Sequence, residues 1–110
     1  MRAEPRQLAP VRHRIAEVLR ASRRSDAHVW RVTVVACELL TLSIEQGNSA
    51  DITLRLLAGA DGTRVEVIDA LPNAPAFDSL HGRLVVRAAS SWGVLREPPG
   101  VRTLWCDVAR

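Results

Sequence analysis

The sequence predicts an α+β two-layer sandwich, a mostly antiparallel four-stranded sheet with about three helices on one face. Three observations predict it. A stretch of about 20 residues without Gly or Pro is apolar nearly all round and suits a buried central helix. Two pairs of short alternating segments are each joined by a Gly-containing turn. The elements follow in the order ααββαββ, and a hairpin in each strand pair makes the sheet largely antiparallel. The chain has 110 residues, enough for one domain with its own core. Residues 1–9 read as an irregular tail and residues 10–110 as the domain.

The first helix runs from Pro10, a residue suited to a first helical turn, to about Ser22. Val11, Ile15, Val18 and Leu19 form its apolar face, and Arg12, Arg14 and Arg20 lie on the other. Ser25 and Asp26 are both caps for a second helix, from about Ala27 to Gln46, that stops at Gly47-Asn48. Its Val29, Val32, Val34 and Val35 favour a strand, but its length exceeds that of ordinary strands. Ile52, Leu54 and Leu56 alternate with polar residues, and Gly59-Ala60-Asp61-Gly62 turns the chain into Val65 and Val67. That second strand ends at Ile68-Asp69. Residues 70–80 read as a loop, and Gly82 to Ser90 as a short helix. Trp92 to Arg96 and Arg102 to Val108 form a second hairpin around Glu97-Pro98-Pro99-Gly100.

Composition excludes several classes. Hydrophobic residues make up 47% and charged residues 25%, which argues against a disordered chain. The longest apolar run, Val32 to Ile44, is interrupted by Glu38 and is shorter than a membrane span. The amino-terminal MRAEPRQLAP lacks the apolar stretch of a signal peptide, so the expected compartment is the cytoplasm and no membrane partner is expected. Cys37 and Cys106 are far apart in apolar surroundings and read as buried free thiols. His13, His28 and His81 are isolated, so no metal site is expected. All 15 basic residues are Arg. Residues 1–31 hold eight of them against Glu4, Glu17 and Asp26, a net of +5, while the remainder is net −2. The basic end suits an acidic partner or a solvated helix face. Nucleic acid is the less expected partner, because aromatic residues for base stacking are scarce.

Glu38, Thr41, Leu42 and Glu45 share one helical stripe, and Asp69 ends a strand where a loop opens. An acidic stripe facing a strand-end Asp across a loop would frame a ligand cleft. Around these residues stands an ordered series: Glu38-Leu39-Leu40-Thr41-Leu42, then Asp69-Ala70-Leu71-Pro72-Asn73, then His81-Gly82-Arg83-Leu84, then Trp92-Gly93, then Gly100-Val101-Arg102-Thr103-Leu104-Trp105. From about Pro10 to Val108 the series resembles the small histidine-kinase-like ATPases of the anti-sigma-factor serine kinase type, which have the Bergerat fold. Their corresponding motifs are E-L-V-T-N, D-x-G-P-G, a Gly-rich lid ending in G-x-G-L, W-G and G-x-T-x-W.

The resemblance implies roles. Asp69 would hydrogen-bond the adenine amino group, Thr103 would support that contact through water, Gly82 would belong to the nucleotide lid, and Glu38 would be the general base for phosphoryl transfer. ATP or ADP is the implied cofactor. The phosphate side departs from the family. Leu42 replaces the Asn that coordinates Mg²⁺, Leu71 and Asn73 replace glycines, and Glu45-Gln46 stands where Arg-His is common. Mg²⁺ neutralises phosphate oxygens during transfer, so its loss removes a large catalytic contribution. Mg²⁺ binding in the family manner is therefore not expected. The implied function is a bacterial transcription regulator, a degenerate member acting by binding a sigma factor or an anti-sigma antagonist. The alternative is an active ATP-dependent Ser/Thr protein kinase. Relatives often form homodimers, and a homodimer is among the implied assemblies.

Overall fold

The computed structural model describes residues 5–46, 51–71, 80–97 and 100–110. After a single 3-10 turn at Pro5–Gln7 come helices α1 (Leu8–Ala21) and α2 (Asp26–Gln46), strands β1 (Thr53–Ala58) and β2 (Gly62–Asp69), helix α3 (Leu80–Ala88), and strands β3 (Ser91–Glu97) and β4 (Val101–Ala109). The strands form one antiparallel sheet in the order β1-β2-β4-β3. This is the α+β architecture that the sequence predicts. Helix α1 begins two residues before Pro10, and α3 begins two residues before Gly82. The expected stops at Gly47-Asn48 and Pro98-Pro99, and most of the expected 70–80 loop, lie outside the described residues.

The α1–α2 turn places Arg23 at φ 59°, a left-handed conformation that costs a non-glycine residue energy. Ser25 Oγ then accepts the His28 backbone N–H and caps α2. By length and hydropathy α2 would suffice to cross a membrane, but half of its apolar window is buried inside the fold. It is the core helix. Val32, Val35, Ala36, Leu39, Leu40 and Leu42 are all buried. They pack with Ile15 and Leu19 of α1, Val85 of α3, Val65 and Val67 of β2, and Leu104, Cys106 and Val108 of β4. On β4 the buried residues alternate with half-buried ones, so every second side chain faces the helices.

Among the described residues the three helices pack on one face of the sheet, and charged side chains lie on the other. There Arg64 pairs with Asp107 through two hydrogen bonds of 2.7 and 2.9 Å, and its guanidinium lies 4.3 Å from the centre of the Trp105 ring. This bond pushes the Asp107 carboxyl below the ordinary carboxylate range, against a smaller opposing effect of burial. Arg55 pairs with Glu66 on the same face. Cys37 is half-buried and Cys106 fully buried, both as free thiols. Burial pushes the Cys106 thiol up to about 12.

Candidate functional site

Helix α2 is fastened to the sheet by polar side chains near both of its ends, with hydrocarbon between. Near its start His28 is fully buried. Its Nδ1 lies 3.2 Å from the Ala109 carbonyl oxygen, and its Nε2 lies 2.8 Å from Thr63 Oγ. A carbonyl only accepts, so Nδ1 carries the proton and Nε2 accepts from the Thr63 hydroxyl. Burial pulls the His28 pKa below its ordinary value, the bond to the Ala109 carbonyl opposes this in part, and Arg24, Arg31 and Arg110 add to the lowering. Near the other end, Ser43 reaches Asp69 and Gln46 reaches Arg102. Helix and strand rise at about 1.5 and 3.3 Å per residue, so His28 to Ser43 spans roughly 22 Å and Thr63 to Asp69 roughly 20 Å. The two fastenings are in register.

The Asp69 end is the candidate site. Asp69 is the last residue of β2 and pairs across the sheet with Arg102 of β4. Residues directly opposite share a face, and both point to the helices. The Arg102 side chain is 0% exposed and that of Asp69 is 3%. Arg102 Nε donates to Asp69 Oδ1 at 2.8 Å, and Nη2 donates to Oδ2 at 2.6 Å. Ser43 Oγ donates to Oδ2 at 2.7 Å, and the Leu71 N–H donates to Oδ1 at 3.2 Å. Arg102 Nη1 also donates to Gln46 Oε1 at 3.0 Å. A carboxylate offers about four lone-pair sites, so Asp69 is saturated from within the chain. The following segment is tied down too, because Arg96 Nη1 donates to the Leu71 carbonyl at 3.1 Å.

The other expected site residues fall elsewhere. Thr103 pairs with Ile68 and Leu95, one residue out of step with Asp69, and so lies on the opposite face of the sheet. Glu38 is half-buried in the middle of α2. It is five residues before Ser43, about 140° around the helix, and is not among the partners of Asp69. Leu42 is buried in the core at 1% exposure, and Glu45 is exposed. Gly82 lies in α3, and Pro72 and Asn73 are outside the described residues. The open clefts among the described residues include two near β1. One, of about 460 Å³, lies between α1 and β1 and is lined by Val11, Arg14, Ile15 and Leu54. The other, of about 440 Å³, lies at the β1–β2 turn. Neither is lined by Glu38, Asp69 or Thr103.

The sequence gives Arg102 and Ser43 no role and notes Gln46 only as a departure from the family's Arg-His, although a signal for Arg102 is present. Leu104, Cys106 and Val108 are the apolar set of β4, and period-two alternation puts Arg102, not Thr103, on their face. Ser43 follows Leu39 at helical spacing but carries no motif.

A core helix laid on a four-stranded antiparallel sheet, with a buried carboxylate at a strand end beneath it, defines a helix-on-sheet α+β domain. Residues 1–91 match the histidine kinase-like ATPase domain. The match covers most of the chain, and the chain belongs to that family. A comparison with curated proteins finds no match.

Proposed function

We infer that this member of the histidine kinase-like ATPase family is a bacterial regulatory protein that acts by binding another protein and does not transfer phosphate. The partner class is that of the anti-sigma-factor kinases it resembles, a sigma factor or an anti-sigma antagonist. The observation that carries this reading is Leu42. The position from which the family's Mg²⁺ would be held carries a hydrocarbon, and that hydrocarbon is buried in the core. Mg²⁺ requires oxygen ligands in near-octahedral array. The neighbouring oxygens of Ser43 and Gln46 are already engaged with Asp69 and Arg102. The residues do not fit Mg-ATP held in the family manner.

Two surface features support a protein partner. Trp30 on α2 is 68% exposed, and exposed Trp and Arg are the side chains that most often dominate protein interfaces. Arg24, Arg31 and Arg110 donate to the backbone carbonyls of Gly59, Ala109 and Ala60, with no carboxylate among these acceptors. That charge suits an acidic partner surface. The test incubates the purified chain with Mg-ATP and with the sigma factors and anti-sigma antagonists of its own organism. The expected outcome is no phosphate on any protein, together with complex formation without nucleotide that Trp30→Ala weakens at least about tenfold. Transfer to a partner serine, abolished by Glu38→Ala, would overturn the reading in favour of an active kinase.

A further inference from the structure

We propose that Arg102 is an internal ligand: its guanidinium permanently occupies the carboxylate that would otherwise read adenine, so this chain takes up no adenine nucleotide and engages its partner without regard to nucleotide. The proposal rests on the family role assigned to Asp69 and deepens the reading above. It says why the base end of the site is closed as well as the phosphate end.

The chemistry of substitution is direct. An adenine amino group offers a carboxylate a neutral N–H donor. Arg102 offers two N–H donors from one planar cation, to both oxygens of Asp69. Ser43 and the Leu71 N–H take the remaining acceptor sites. A nucleotide could bind only by displacing a charge-assisted bidentate pair with a single neutral bond. It would also leave a guanidinium that is 0% exposed without its anion. Arg102 is tethered on the neighbouring strand, so its effective concentration at Asp69 is that of an intramolecular ligand, which a free nucleotide does not match. The guanidinium further reaches Gln46, and Ser43 reaches Asp69, so this internal ligand fixes the last turn of α2 to the sheet. In this chain a side chain sets the helix–sheet junction.

The experiment replaces Arg102 with Thr, which suits a strand and removes the guanidinium. Thermal unfolding of the wild type and of Arg102→Thr is followed with adenosine, with ATP free of Mg²⁺, and with methylguanidine. A ligand that binds only the folded state raises its melting temperature. The wild type is expected to be unmoved by all three. Arg102→Thr is expected to melt several degrees higher with methylguanidine, which refills the vacated volume, and higher with adenosine and ATP. Asp69→Asn/Arg102→Thr is expected to lose both responses. Stabilisation of the wild type by adenosine or ATP would overturn the proposal, and so would a folded Arg102→Thr protein that ignores adenosine and ATP. If the Thr variant does not fold, the wild-type titration still decides: stabilisation by adenosine or ATP overturns the proposal, and no response to either supports it. Failure of the variant to gain adenosine leaves the protein-binding reading standing, whereas phosphotransfer by the wild type strikes that reading itself.

Discussion

Four donors meet the two oxygens of Asp69, and all four come from the chain itself. Removing Arg102 alone would leave a buried carboxylate without its cation, a loss of about 3–5 kcal/mol for pairs of this kind. His28 is the second residue whose protonation state the fold dictates. Its Nε2 accepts from Thr63, and burial and three arginines oppose a positive charge there. The folded chain therefore binds this proton more weakly than the unfolded chain, whose His titrates near 6.5. The stability contributed by neutral His28 is complete above that pH and is lost as pH falls below it. Urea titrations between pH 7.5 and 5 should show the wild type losing stability over this window and His28→Gln losing less. A wild type as stable at pH 5 as at pH 7.5, or an unchanged slope in the variant, would contradict this account of His28.

At the scale of elements, the long apolar segment and the two hairpins were legible because each carries a strong local pattern. Length decided α2 against its β-branched residues, and the Gly59 to Gly62 turn announced the first hairpin. The insertion of β4 between β2 and β3 was not legible, because no local pattern encodes strand order. The site was partly legible. Asp69 stands at a strand end, as read. The residue facing it was missed by one position, and in a strand one position exchanges faces. Gly93 shows how local packing can underlie a motif. An added Cβ there would lie 2.7–2.9 Å from atoms of the Trp105 ring, which rests on this glycine from the neighbouring strand. Gly93→Ala should displace the ring from Arg64 and cost about 1–3 kcal/mol, as overpacking does. Chemical denaturation with Trp fluorescence would measure both effects. An Ala variant as stable as wild type with unchanged emission would refute this role.

At the scale of the whole molecule, a shared fold and a family site separate from one another. The family match ends at residue 91, and β4, which supplies Arg102, lies beyond it. In the proposed reading, the strand that completes the sheet also brings the group that closes the site. The buried ion pair joins helix to sheet whether or not Asp69 meets a ligand, so the fold and the family's site can part. The most direct test is a calorimetric titration of the wild-type chain with ATP and with ADP, each with and without Mg²⁺. The account predicts no binding heat up to millimolar nucleotide in any of the four. Saturable binding that Asp69→Asn abolishes would contradict it, for it would mean that Asp69 is free to read a base.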